Sequence, residues 1–455
     1  MTQPVFQDVT RRIAEFCVAL KYEDLPSAAV EDAKKAVLDW LGVALVGSRE
    51  ESTRIVSGAC VDLGEPTGTA TLLGTGAQTS PAVATLVNGL AGHALDYDDV
   101  QHRCGVHMSA PVLPVALMLA ETRQRSGKDL LTAYVAGFEV GCRLGRAARF
   151  GNYLHMHGIH PTGFLGHFGA AAAAGKLLRL NTLQMQRNLG IVAGKAAAMM
   201  RSFGTMCKPL NAGNAAQDGL FTAMLAQAGL TGPEDIFEGE HNIFSITGGH
   251  TDAHELVRAL GEEYEITHNT FKAYACTGWR NPIAEAAILL ATTHALQPGD
   301  VKKMHVLVYS DMMRLPDKPE PRTGLEGKFS VAHVCAVALT DRAAGIAQFT
   351  DQRVADSRLA ALRRRVTFEA SAEMDRYQAR MLIETTDGRQ FNHFVPVPKG
   401  DHLRPMSRDE LVAKFRANAL VVLPPEQVER LTAVLWDLEA VGDVAELMRL
   451  CRPGT

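Results

Sequence analysis

Through the first 260 positions or so, apolar residues recur at intervals of three and four, the spacing that lays one face of a helix against a core. The pattern predicts helices over Val9 to Ala19 and over 28–46. Ser80 followed by Pro81 reads as a helix start, with Ser as the cap and Pro at the first helical position. Val83, Leu86, Val87, Leu90 and Ala94 then share one face. Asp129 is the expected cap of a further helix through Leu131, Tyr134, Val135 and Phe138. Two stretches rich in small residues, 166–175 (GHFGAAAAAG) and 190–200 (GIVAGKAAAMM), predict helices that approach one another closely.

Near Glu265 the texture changes. Residues 301–310 (VKKMHVLVYS) alternate apolar and polar, as a strand with one exposed face does, and 364–371 and 379–398 are also strand-like. Asp387-Gly388 between two β-rich runs predicts a hairpin turn. An apolar helix is expected between 320 and 345. Helical periodicity returns at Ser407, which with Glu410 forms a capping-box signature. The fold class expected is therefore mainly α: a large helical domain, an inserted smaller α+β domain, and a helical C-terminus rejoining the first.

Composition narrows the function classes. The chain has 455 residues, is 47% hydrophobic and 21% charged, and carries a formal net charge of −4, with no bulk electrostatic sign of a nucleic-acid partner. No apolar run approaches the roughly 20 residues that span a bilayer, and the first residues lack the apolar core of a signal peptide. Eight scattered cysteines without a CxxC pair predict reduced thiols in a cytoplasmic protein.

Four stretches gather groups able to do chemistry. Residues 88–111 hold His93, Asp96, Asp98, Asp99, His102 and His107; 154–167 hold four histidines; 201–219 hold Lys208; 267–282 hold Lys272 and Arg280. Each has a bland reading. His93 shares a face with Leu90 and Leu86 and reads as a satisfied core histidine; Asp98 and Asp99 can cap a helix; Lys208 can neutralise a helix C-terminus. Their repeated position beside Gly/Pro turns linking apolar helices argues instead for convergence on a cleft. A rival metal set is His155 and His157 with His160 or Asp96, as in a metal-dependent hydrolase, although HExxH, CxxC and EF-hand patterns are all absent. GAAAAAGK (169–176) lacks phosphate-loop spacing, and there is no GxSxG.

These stretches resemble the MmgE/PrpD family, which includes 2-methylcitrate dehydratase, cis-aconitate decarboxylase and iminodisuccinate epimerase. The matching segments are NGLAGHALDYDDV with HMSAPVLPVAL, HPTGFLGHFGAAAAAGKLLRL, CKPLNAGNAAQDGL, FKAYACTGW, GLEGKFSVAHVCAVAL and PKGDHLRP, in the family's order over nearly the whole chain. The resemblance implies a large helical domain from 1–264 and 405–455, an α+β lid from 265–404, a homodimer, and no cofactor or metal. It implies a lyase, a dehydratase or decarboxylase, working by proton transfer beside a carboxylate of a small di- or tricarboxylic acid; an epimerase of a dicarboxylate is the alternative. Carried over by position, Asp96, His107 and His160 become the acid/base groups, and Lys208 and Lys272 the clamps on substrate carboxylates. The chain departs from the family in three places. His333 stands where a lid tyrosine is usual, and is expected to act from the opposite side of the substrate. Val100 replaces the threonine of the decarboxylases, and the loop from Asp99 to His107 is one residue longer.

Overall fold

The computed structural model describes residues 8–64, 68–148, 158–245, 252 and 254–454. It is mainly α with one small α+β region. The expected early helices form as Val9–Ala19 and Ser27–Gly47. Ser80 caps Pro81–Ala94, its side chain accepting from Val83 N. Two expectations need correction. The helix Gly127–Ala147 starts earlier than expected: Ser126 is the cap, and Asp129 completes a capping box from the third helical position. The stretch 190–200 is not one helix: Thr182–Ala193 ends there, and the chain turns through a short 3-10 segment, Met200–Ser202.

Most of the apolar mass lies in one core running from Val9 to Phe271 and resuming at Leu411. The C-terminal helices close it. Arg408–Ala419, with the expected Ser407/Glu410 capping box, packs on Ser27–Gly47, and Val444–Arg449 packs on Ser109–Thr122. A second core lies around a four-stranded sheet ordered Val366–Ala370, Val301–Val308, Ala379–Thr385, Gln390–Val395, with the first pair parallel and the others antiparallel. Val301, Met304, Val306 and Val308 point inward, and a register shift between Val301 and Lys303 breaks the alternation once. The hairpin turns at Asp387-Gly388, where Gly388 adopts φ 87°. Asn281–Thr293 and Val331–Asp341 cover one face of this sheet.

The two cores meet where Val43, Val46, Leu95 and Tyr97 join the second one. A two-residue antiparallel ladder, Val100–Gln101 with Asn269–Thr270, stitches the same junction. Among the described residues no helix is long and apolar enough to cross a membrane.

Candidate active site

Three helix ends deliver the polar groups to this junction. Pro81–Ala94 ends just before Asp96, which adopts φ 49°, a left-handed conformation that Asp tolerates better than most residues. Pro161–Leu177 begins immediately after His160, with Pro at its first position. Cys207–Gln227 carries Lys208 at its N-terminal end, so the bland reading of a C-terminal neutralising cation does not hold. Glycines let these helices touch: a Cβ on Gly213 would lie 2.4 Å from Leu86 O, and one on Gly89 would lie 2.9 Å from Gly213 Cα.

The Asp96 carboxylate lies between two ammoniums, with Lys208 Nζ 2.5 Å from Oδ2 and Lys272 Nζ 2.5 Å from Oδ1. Lys272 also donates to Asp96 O at 2.8 Å. Burial raises the Asp96 carboxyl, but Lys208 and Lys272 outweigh burial and hold it well below the usual carboxylate range. Lys208 is lowered by burial and raised by Asp96, with a net downward shift.

Beside this pair lies an imidazole cluster. His93 Nδ1 donates to Asp98 Oδ2 at 2.8 Å, and His107 Nδ1 lies 3.2 Å from the same oxygen. The His93 contact puts a proton on its Nδ1, whereas His107 Nδ1 faces the same oxygen without a hydrogen bond. His107 Nε2 lies 3.8 Å from Asp96 Oδ1. His93 packs edge-on to His107 at 4.7 Å and stacks on His160 at 5.9 Å. Asn211 Nδ2 donates to His160 Nδ1 at 3.1 Å, so the remaining His160 proton sits on Nε2. Burial, then Lys272, pushes His107 down to about 3, while burial, then Lys208, holds His160 well below its ordinary value. Both rings are neutral at pH 7. Burial raises Asp98, but His93 and His107 outweigh it and keep that carboxylate ionised.

Asp96, His107, His160 and Lys208 form one wall of a cavity between the two cores; Trp279, Arg280, Leu315, Phe329 and Tyr377 form the other, with Val100 between them. Five of the six expected site residues therefore converge. Lys272 is 1% exposed, and its ammonium is engaged by the Asp96 carboxylate and carbonyl. The sixth, His333, is a correction. Its Nε2 lies 3.2 Å from Gln348 O, its Nδ1 3.4 Å from Arg363 Nη1, and its ring packs on Phe349, away from the cavity. Ser330 caps this helix, its Oγ accepting from His333 N at 3.1 Å.

Four further residues, gathered by the sequence among the groups able to do chemistry but given no role, take their places here. His93 is buried but is part of the cluster, and Asp98 binds histidines instead of capping a helix. Asp99 accepts from Ser109 and Asn269. Arg280 lies on the cavity wall, donating to Thr277, Pro316 O, Phe329 O and Asp317. His155 and His157, two of the rival metal ligands, lie outside the described residues. A different trio, His93, Asp98 and His107, brings one ligand atom each within 4.8 Å of one another, a donor set that zinc accepts.

A family model described as the MmgE/PrpD N-terminal domain matches residues 11–256, and one described as the MmgE/PrpD C-terminal domain matches 274–440. The chain is 28% identical to cis-aconitate decarboxylase of Mus musculus over 468 residues, 98% of this chain and 94% of the mouse protein. It is 28% identical to cis-aconitate decarboxylase of Aspergillus terreus, covering 97% and 95%. It is likewise 28% identical to the cis-aconitate decarboxylase-like protein oryM of Aspergillus oryzae, covering 97% of each. Two family models in tandem along one chain, and relatives matched end to end, establish that the chain belongs to the MmgE/PrpD family.

Proposed function

We propose that the chain is a metal-independent lyase that moves a proton at a carbon beside a carboxylate of a small di- or tricarboxylic acid, with decarboxylation of cis-aconitate as the leading reaction. The observation that carries this reading is the pairing, on one cavity wall, of a buried Lys208–Asp96 ion pair with two neutral histidines.

The chemistry explains why such groups belong together. When a carboxylate leaves as CO2 from a carbon next to an alkene, its electron pair moves through the double bond. The far carbon, beside another carboxylate, then takes a proton. Negative charge builds on that second carboxylate in the transition state, and a fixed ammonium in a water-poor site stabilises it. Lys208 supplies that ammonium. His107 is the leading acid/base group, with Asp98 beside its Nδ1 and Asp96 beside its Nε2. The His107 imidazole is neutral in the empty site, and a polyanion raises its proton affinity, so substrate binding and proton uptake go together. His160, with a proton on Nε2, donates to the substrate or serves as a second acid.

Dehydration runs the proton the other way: a base takes the proton beside a carboxylate, the same carboxylate-stabilised charge builds, and a β-hydroxyl leaves as water after protonation. Epimerisation asks for acid/base groups on both faces of the substrate, and His333, expected on the lid side, is turned toward Gln348 and Arg363. That placement favours the lyase reading. A division into a helical domain and a lid at 265–404, a homodimer and a cytoplasmic location complete the reading on family likeness.

Incubating chelator-treated protein with cis-aconitate, 2-methylcitrate and iminodisuccinate, followed by proton NMR, separates the outcomes. CO2 loss from cis-aconitate is expected. Turnover of none, or turnover only with added zinc, overturns the reading in favour of another substrate or a metal-dependent hydrolase.

A further inference from the structure

Asp96 sits in a turn whose backbone is held in an unusual way. Leu95 O accepts from Lys328 Nζ, Asp96 O accepts from Lys272 Nζ at 2.8 Å, and Tyr97 O accepts from Lys414 Nζ at 2.8 Å. Three successive carbonyls thus each bind an ammonium, and the three lysines come from distant segments. Lys328 follows the short helix Gly324–Gly327 beside the second core, Lys272 follows the ladder strand Asn269–Thr270, and Lys414 lies in the C-terminal helix Arg408–Ala419. All three are buried, at 3%, 1% and 7% exposure. Lys414 also donates to Lys272 O at 2.9 Å and pairs with Asp39 Oδ1 at 2.7 Å, so one ammonium ties together the turn, the Lys272 backbone and the helix Ser27–Gly47.

Cations near a helix C-terminus are favourable in general, and one lysine here would need no further account. Three on consecutive carbonyls do, because each buried ammonium carries a large desolvation penalty. The residue they surround has φ 49°, which costs free energy for any non-glycine residue and persists only where neighbours enforce it. Without the cage, relaxation of the turn would carry the Asp96 carboxylate away from Lys208 and from His107 Nε2.

We infer that Lys328 and Lys414 are positioning residues of the site: together with Lys272 they form a lysine cage that fixes the Asp96 turn from both cores. The inference rests on the reading of Asp96 as part of the proton-transfer site. It makes the geometry of that carboxylate conditional on the second core, through Lys328, and on the C-terminal helix, through Lys414. Burial pushes Lys328 down to about 8, against the opposing pull of Glu50 and Asp96.

The test compares Lys328→Met, the double variant D39N/K414M, and Asp96→Asn with the full-length wild type. The double variant removes both halves of the Asp39–Lys414 pair, so no lone charge is left buried. Each protein is assayed on the substrate identified by turnover, with folded fraction measured by calorimetry. In Lys328→Met and D39N/K414M, kcat per folded molecule is expected to fall roughly 10- to 100-fold while KM changes less than about threefold, the signature of a misplaced group. The acid limb of the kcat profile is expected to move up in both variants as the Asp96 carboxylate shifts relative to Lys208 and Lys272. Unchanged kcat per folded molecule with only a lower Tm, or an unmoved acid limb, overturns the inference. If Lys328→Met does not fold, Lys328→Gln, which keeps a donor on a shorter stem, takes its place under the same criteria. Wild-type kcat in Asp96→Asn would instead overturn the proton-transfer reading of the site, a result separable from intact activity in the cage variants alone.

Discussion

Lys208 pairs with Asp96 through Oδ2, and His107 Nε2 stands 3.8 Å from Oδ1. His107→Ala and Lys208→Ala should each lower turnover at least ~100-fold, the scale of a lost acid/base or charge-stabilising group. His333→Ala should change it less than about threefold, because its ring faces Gln348 O and Arg363. A large loss in His333→Ala, measured by steady-state kinetics, would return that residue to the site. The same side chains set the acid stability. His107 takes its proton at about 3 when folded and near 6.5 when unfolded, so the unfolded chain binds more protons between those values and stability falls as pH drops. One such group costs about 1.4 kcal/mol per pH unit in that window, and His160, also lowered, acts in the same direction. Asp96 and Asp98 add to the loss only below 3.8, where the unfolded carboxyls protonate first. Asp99 and Glu139, both raised to about 7 by burial, act in the opposite direction over the same range. Between pH 6.5 and 4 the thermal midpoint of His160→Gln should therefore lose less on acidification than that of the wild type. Equal slopes in calorimetric scans would contradict the buried neutral state of His160.

At the scale of elements, the crossing of Pro81–Ala94 and Cys207–Gln227 sets the distance between Asp96 and Lys208. Gly213→Ala puts a Cβ 2.4 Å from Leu86 O, a backbone atom that cannot step aside. Overpacking of this kind costs about 1–3 kcal/mol, visible as a lower urea midpoint, and the forced separation should also cut turnover. A variant with unchanged stability and activity would mean the helices tolerate the extra atom. Helix and strand positions were largely legible because each carries its own local signal: 3.6-residue periodicity, the Ser80-Pro81 start, the Ser407/Glu410 box, the Asp387-Gly388 turn. The boundary at Ala193 was missed because alanine-rich sequence favours helix wherever it lies, and the break is imposed by the turn toward Met200. The true cap at Ser126 was overlooked beside Asp129, although the two act together. In the site, Asp96, His107, His160 and Lys208 could be picked out by family position, since each stands in a motif. Lys414 could not, because a lysine in an amphipathic helix looks solvent-facing until the Ser27–Gly47 helix covers it. The direction of the His333 ring, toward Gln348 O and Arg363, was not legible either, because it is set by neighbours that no motif announces.

The whole molecule is two cores with a cleft at their seam, and the chain crosses the seam repeatedly. Described residues between Val9 and Phe271 supply most of the first core, those between Ala275 and Val395 most of the second, and the C-terminal helices return to the first, bringing Lys414 behind the site. The polar wall comes from the helical side, while the opposing wall of Trp279, Leu315, Phe329 and Tyr377 is mostly apolar. Such a cleft excludes water around the few charges it holds, which strengthens them. The most direct test of a metal-free proton transfer in this cleft is turnover of cis-aconitate in D2O by chelator-treated protein whose metal content is measured in parallel. The account predicts a product with one deuteron at the carbon beside a carboxylate, formed without stoichiometric metal and at least ~100-fold more slowly by His107→Ala. Activity that tracks bound metal, or a His107→Ala protein that forms the deuterated product at the wild-type rate, would contradict it.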